Sequence, residues 1–468
     1  MNVTFETLTK VDKHWAVLAV GENERKRGLE IANVRLVNKA IGEQLTLNVA
    51  APRHGDDDLL SRLALAYEMA AIEGLEAFLN NTSGDKALSE QCAAGAWRAF
   101  EIGRMVPPPR DADRRVLHLL HLSALAYCGD RWTDLRRWYR DEPELCAVPS
   151  VADAPWDRRL LYRLFECWIR LFRKQNWDDL DRIREIIVGL REDQKDFEAA
   201  ALKAESNAGN RAMALRLVTL YHWAKASELL AKYMLQGEPT SINPLLTKHF
   251  DTAIKAATEA TDSQLELLMR WLHAASTQMV AGSIWRVARA VNSRVTKFVH
   301  EVTKQQGLFE LLPPQRAAWL EQGLLDQAAT AVVIDMPTSG GKTLLAQFRI
   351  LQALNQFDAE NGWVAYVAPT RALTAQLARR LRRDFNPIGV KVEALTGAVE
   401  VDAFEEELLK QTGDKRAFDV LISTPEKLQL VIRNKKVPRP LALVVMDEAH
   451  NIENESRGMR MELLLATI

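Results

Sequence analysis

The chain has 468 residues, 47% of them apolar and 26% charged, and a formal net charge of −1. Such a length leads us to expect about two to four domains, and the composition is that of an ordinary globular protein. A globally basic protein is excluded, so any contact with nucleic acid must come from a local patch or groove. The four cysteines, Cys92, Cys128, Cys146 and Cys167, form no C-x-x-C pair and have no His at ligand spacing. Reduced thiols are expected, not a metal site or a disulfide framework. The N-terminus lacks the basic start and apolar core of a signal peptide, and no apolar run approaches membrane-spanning length. A cytoplasmic location, with no membrane partner, is the expectation.

Residues 1–58 show little pattern. From Leu59, apolar residues at Leu60, Leu63, Leu65, Met69 and Leu75 recur near a 3.6-residue period. Ala, Leu, Glu, Arg and Lys then dominate to residue 304, which predicts an all-helical domain over 59–304. Breaks are expected at 80–84, 106–109, 142–155, 208–210 and 237–244. Trp132, Trp177 and Trp223 lie 177 − 132 = 45 and 223 − 177 = 46 residues apart, each expected at a helix start. That period suits a solenoid-like stack of helical pairs; tryptophans packed between helices of an irregular bundle are the alternative. Either arrangement points to a scaffold that binds a protein partner. His118, His121, His222 and His249 are scattered and form no catalytic constellation.

A connection over 301–323 leads into a second domain. Gln315 comes after Pro313-Pro314 and stands 342 − 315 = 27 residues before Lys342. Its amide suits the donor–acceptor edge of adenine, although a surface Gln after a Pro-Pro turn is the plainer reading. Ala331 to Ile334 is apolar and predicts a buried strand. Pro337, Thr338, Ser339, Gly340 and Gly341 come next as a loop, and Lys342-Thr343 open an amphipathic helix. Strand, glycine loop, Gly-Lys-Thr and helix make a phosphate-binding loop. Backbone N–H groups face an anion there, and glycines let the chain approach closely. Lys342 would reach the terminal phosphates and the Thr343 hydroxyl a Mg²⁺ ion. Met336 holds the position where the general pattern has its first Gly.

Downstream, strand and helix alternate. Strands are predicted over 363–368, 390–395, 418–422 and 441–446, and helices over 372–385, 403–410 and, after residues 423–427, on to about residue 433, with Asp402 an expected N-cap. Continuous apolar strands alternating with helices argue for a doubly wound parallel sheet with ligands at the carboxyl ends of its strands. The last strand ends in Asp447-Glu448-Ala449-His450. Asp447 is placed to hold Mg²⁺ through water, and Glu448 to orient the attacking water.

The ordered set resembles the first RecA-like lobe of a superfamily 2 DExH-box helicase, over about residues 305–468. Residues 336–343 are similar to its motif I, 368–373 to motif Ia, 423–428 to motif Ib and 447–450 to motif II in the DEAH form. Arg457-Gly458 and Glu462, just beyond, resemble the superkiller (Ski)-like branch. The resemblance implies ATP and Mg²⁺ as cofactors, with Gln315 on adenine. It implies Pro337 to Thr343 on the phosphates, and Lys342, Asp447, Glu448 and His450 in catalysis and coupling. Pro369, Thr370, Arg371, Thr396, Gly397, Thr424 and Pro425 would line the track of single-stranded DNA or RNA, by contacts that suit phosphates without reading bases. Arg379, Arg380, Arg382 and Arg383 either extend that field or form a solvated helix face. Such helicases use two lobes. A second lobe is expected in a longer protein or another subunit, and residues 1–468 alone are expected to bind ATP weakly and not to unwind. Two readings are open. One is an ATP-dependent helicase with a helical companion, in a bacterial defence or repair complex; the other is an ATP-gated assembly module whose helical domain is the working surface.

Overall fold

A computed structural model describes residues 3–41, 55–80, 85–150, 154–201, 208–286, 293–337, 340–395, 403–411, 417–453 and 458–468. The chain divides into two units, Met1–Ser283 and Ile284–Ile468.

The first unit is built from helices α1 (Phe5–Val11), α2 (Trp15–Leu18), α3 (Glu22–Ile41), α4 (Asp56–Glu73), α5 (Leu75–Asn80), α6 (Lys86–Gly103) and α7 (Ala112–Cys128). It continues through α8 (Trp132–Asp141), α9 (Trp156–Arg173), α10 (Trp177–Ala201), α11 (Ala208–Gln236), α12 (Ile242–Glu259) and α13 (Ser263–Gly282). Local chemistry sets their ends. The Asp111 carboxylate accepts from the Arg114 N–H at 2.9 Å and caps α7. In α9, Leu161, Leu164, Phe165, Trp168 and Phe172 recur at helical spacing and are buried. The helix stops at Lys174, whose left-handed φ of 41° ends the α9 ladder.

Trp132 and Trp177 do open helices, but Trp223 lies fully buried inside α11. Residues 208–210, expected as a break, begin that same helix. Nor do the helices pack only on their sequence neighbours, as a one-dimensional stack would. α13 returns to α5 and α7, and the Trp271 indole N–H donates to Glu68 Oε1 of α4 at 3.1 Å. His121 Nε2 lies 2.8 Å from the same carboxylate oxygen.

The second unit contains α14 (Ser293–Gln306), α15 (Pro313–Leu320), α16 (Lys342–Gln356), β1 (Trp363–Val367), α17 (Arg371–Phe385) and β2 (Val392–Ala394). After these come α18 (Ala403–Lys410), β3 (Val420–Ser423), α19 (Pro425–Arg433), β4 (Leu441–Met446) and α20 (Gly458–Leu465). The sheet runs β2-β3-β1-β4 and every pairing is parallel. Parallel neighbours need crossover connections, which α17, α18 and α19 provide. β1 is buried throughout, as a central strand covered on both faces must be. The division between units falls before the expected 304/305 boundary. Phe298 of α14 packs edge-on against Phe348 and Phe385 of the second unit, both at 5.7 Å between ring centroids.

One expected strand is not present. Residues 331–337 belong to no strand, and Val333 is 92% exposed. Ile334 and Met336 alone turn inward, against Ala318, Leu324 and Leu345. Apolar, β-branched residues favour a strand, but a ladder also needs a neighbouring edge to supply N–H and C=O groups. Among the described strands β4 pairs with β1 alone, and its six residues are half-buried. Asp402, the expected cap of α18, lies outside the described residues.

Glu68 gives the helical unit a testable pH dependence. Burial opposes its charge, yet the His121 charge and the bonds from His121 and Trp271 hold its carboxyl below the usual 4.5. A depressed carboxyl contributes stability above its unfolded value and loses it as pH falls through the folded one. Thermal melts should therefore fall as pH drops below about 4.5, and Glu68→Gln should flatten that slope. Glu68→Ala should cost about 1–3 kcal/mol at neutral pH by leaving the Trp271 N–H buried without a partner.

Candidate nucleotide and nucleic-acid site

Because the sheet is parallel, its carboxyl ends share one margin. The Leu395 N–H donates to Ile422 O at 2.9 Å, Ala368 N–H to Ser423 O at 3.0 Å, and Asp447 N–H to Val367 O at 2.9 Å. These bonds set the loops after β2, β3, β1 and β4 side by side in that order. The loops after β1 and β3 carry Pro369-Thr370-Arg371 and Thr424-Pro425, and β4 runs directly into the DEAH sequence. Thr338, Ser339, Thr396 and Gly397 lie outside the described residues.

The glycine loop ends on the first turn of α16, which packs on β1 and β4. Gly340 N–H donates to Pro337 O at 2.8 Å, closing the turn. Gly341 has φ +75°, a conformation that L side chains rarely adopt. Gln315 is 3% exposed; its Oε1 accepts from Leu312 N–H at 2.9 Å and its Nε2 donates to Gly341 O at 3.3 Å. A Cβ on Gly341 would sit 2.3 Å from that Nε2. Gln315 thus caps α15 and bears on the loop at once. Lys342 is half-buried and has no ion-pair partner among the described residues. Bare glycine backbone, a helix N-terminus and an unpaired Lys fit a nucleotide's phosphates.

At the end of β4, Tyr366 donates its hydroxyl to Asp447 Oδ2 at 3.4 Å, and Glu448 N–H donates to Asp447 Oδ1 at 3.0 Å. Burial raises the Tyr366 phenol well above its ordinary value, and the Asp447 charge raises it further, so it remains a donor. Glu448 takes a left-handed φ of 52°. Its carbonyl accepts from the Asn451 N–H at 3.0 Å and from Asn451 Nδ2 at 2.9 Å, which holds the turn. Strain of this kind in a non-glycine residue costs about 1–3 kcal/mol and concentrates at functional sites. His450 is exposed, with Nδ1 3.3 Å from Glu448 Oε2. Arg380 Nη1 lies 3.4 Å from Thr343 Oγ1, and the Arg380 charge also acts on Tyr366. Of the expected magnesium ligands, Thr343 contacts Arg380 and Asp447 contacts Tyr366.

The expected strand track is uneven. Arg371 is exposed on the first turn of α17 and has no ion-pair partner among the described residues. Thr370 caps that helix, its Oγ1 accepting from Leu373 N–H at 3.3 Å. Pro425 is buried at the start of α19; it shapes the loop and offers no surface. Thr424 is half-buried and bonds Glu426. Of the four clustered α17 arginines, two are structural: Arg382 bonds Glu393 and the Val392 carbonyl, and Arg383 bonds Asp384. Sequence reading missed Tyr366 and the buried Glu405–Lys427 pair, where Nζ lies 2.5 and 2.7 Å from the two carboxylate oxygens. A tyrosine inside an apolar strand gives no signal of its contacts, and Lys427 looked like part of a surface motif.

The domain that carries the glycine loop and the acidic strand end is similar to helicase domains of superfamily 2. Residues 313–468 match the family model of the DEAD/DEAH box helicase. The chain is similar to the ATP-dependent DNA helicase Hel308 of Pyrococcus abyssi, 32% identical over 172 residues, which is 36% of this chain and 22% of that protein. Against the Hel308 of Methanocella arvoryzae the identity is 36% over 167 residues, 35% of this chain and 20% of the relative. The Hachiman protein HamB of Bacillus cereus is 31% identical over 189 residues, 39% of this chain and 16% of HamB. The matched part thus spans about a fifth of the length of these relatives.

The loop's tolerance is measurable. Gly341→Ala forces a side chain onto Gln315 at positive φ and should destabilise the second unit by about 1–3 kcal/mol. It should also abolish the thermal shift produced by Mg-ATP. Adding Gln315→Ala removes the collision but not the φ penalty, so the double variant should recover only part of the melting temperature.

Proposed function

We propose that the chain is the N-terminal part of an ATP-dependent helicase or translocase that moves on single-stranded nucleic acid. The observation that carries this reading is one sheet margin holding Asp447 and Glu448 beside Arg371, with the Gly341-Lys342-Thr343 helix packed on the same strands. In this reading Lys342 and Thr343 hold phosphate and metal, Asp447 holds the metal through water, and Gln315 meets the adenine. Bound Mg-ATP supplies the phosphoryl group that water displaces. Glu448 orients that water and accepts its proton at the carboxylate. His450, in contact with Glu448 and exposed, couples the turn to the strand track. The Ski-like assignment rests on Arg457, Gly458 and Glu462. At Gly458 a Cβ would sit 2.0 Å from Ile452 O, so glycine is required there.

The second unit then acts as the first of two lobes, and the partner lobe brings the arginines that complete the site. The length of the matched relatives supports this. Likeness to a DNA helicase favours DNA as the strand, and likeness to a Hachiman protein favours a defence setting. A cytoplasmic location is part of this proposal; no helix among the described residues is long and apolar enough to cross a membrane. Exposed Phe5, Trp15 and Leu18 at the start of the helical unit support a protein partner there.

ATP hydrolysis by the intact protein should rise with single-stranded DNA or RNA over neither. Glu448→Gln should lower that rate by about a hundredfold or more while nucleotide binding persists. Persistence of strand-stimulated hydrolysis in this variant would refute the role. The assembly-module reading makes a different forecast: Lys342→Ala would abolish partner binding and Arg371→Ala would leave it intact.

A further inference from the structure

We propose that Arg380, on the solvent side of α17, contacts the terminal phosphate of the bound nucleotide and so distinguishes ATP from ADP. The inference deepens the proposed ATPase reading and rests on it. Its basis is how α17 is fixed beside α16. Gln347 of α16 is buried and donates from Nε2 to Asp384 Oδ2 of α17 at 2.9 Å. Asp384 is buried as well, and its Oδ1 accepts from Gln306 Nε2 at 2.9 Å. One turn back on each helix, at 347 − 4 = 343 and 384 − 4 = 380, stand Thr343 and Arg380, with Nη1 3.4 Å from Oγ1. The buried amide–carboxylate clamp therefore delivers a guanidinium to the mouth of the phosphate loop.

Two neighbouring arginines of the helix are committed elsewhere. Arg382 and Arg383 have carboxylate partners, whereas Arg380 is exposed and pairs with no carboxylate among the described residues. A guanidinium carries five N–H donors in a planar fork. A single 3.4 Å contact to a hydroxyl leaves most of that capacity open. Thr343 lies at the expected metal position, beyond the lysine that would take the β- and γ-phosphates. A guanidinium 3.4 Å from Thr343 Oγ1 would therefore lie within reach of a terminal phosphate whose metal Thr343 holds, and loss of that phosphate would leave it nothing to bind.

The test measures nucleotide affinity, not turnover. Fluorescent Mg-ATPγS and Mg-ADP analogues are titrated into the full chain as wild type, Arg380→Ala, Arg380→Lys and Lys342→Ala. Arg380→Ala should weaken ATPγS about tenfold or more, the worth of a charge-assisted bond, and change ADP less than about twofold. Arg380→Lys, which keeps the charge but not the fork, should fall between. Equal loss for both nucleotides, or loss for neither, overturns the assignment. Unchanged ATPγS affinity with weakened single-stranded DNA binding overturns it too and gives Arg380 to the strand. A wild-type chain that binds neither nucleotide overturns the ATPase reading, and this assignment with it. If Lys342→Ala alone abolishes both nucleotides, the ATPase reading survives whatever becomes of Arg380.

Discussion

The parallel pairing of β1 with β4 is the constraint on which the site depends. Register carries Val367 opposite Met446, and the ladder closes with the Asp447 N–H on the Val367 carbonyl. Both strands therefore stop together. β1 gives way to a loop into an arginine-bearing helix, and β4 gives way to a pair of carboxylates. A shift by one residue would turn Asp447 to the other face and separate it from Tyr366. Burial of β1 on both faces resists that shift, although β4 is only half-buried. The chemistry thus inherits its precision from a hydrophobic ladder that takes no part in it.

Much of this was legible in the sequence. Alternation of apolar runs with helical stretches carries the parallel sheet, and Gly-Lys-Thr and Asp-Glu-Ala-His mark the two halves of the site. What was not legible has a physical pattern. The run at 331–334 has strand composition, but composition does not supply a neighbour, and Val333 is out in solvent. Trp223 stands at the spacing of Trp132 and Trp177 yet sits within a helix, because burial can place a large ring at any turn facing the core. Lys427 and Glu405 lie 427 − 405 = 22 residues apart and meet in the interior. A lone Lys in a sequence reads as surface, and only the fold reveals the carboxylate that makes its burial tolerable.

The helical unit treats its polar groups differently. Several of the polar groups buried in its apolar interior bond one another, although the Trp138 and Trp223 indole N–H groups are buried without a hydrogen-bond partner among the described residues. Trp168 donates to Ser227 Oγ at 2.8 Å, Ser227 donates onward to the Trp223 carbonyl at 2.8 Å, and Glu68 gathers His121 and Trp271. The cysteines Cys92, Cys128 and Cys167 are free and buried, and burial pushes all three thiols up, which keeps them protonated and inert. His118 and His273 are held down to about 4 by burial and remain neutral. Side chains that could do chemistry are here arranged as structure.

Charge at the sheet margin is the counterpart of that closure. Away from the margin, several of the second unit's cations are engaged: Arg294 with Asp358, Lys427 with Glu405, Arg460 with Glu426, and Arg439 with the Asn361 and Phe418 carbonyls. At the margin, Lys342, Arg371 and Arg380 have no carboxylate partner among the described residues. A folded chain gains little from a cation held without a partner, and an isolated half-buried one is costly. Their arrangement becomes favourable when an anion arrives from outside. Lys342 and Arg380 stand at the glycine loop and Arg371 just beyond the end of β1, so the unpartnered cations of this unit include some that gather where the sheet's carboxyl ends and the glycine loop lie.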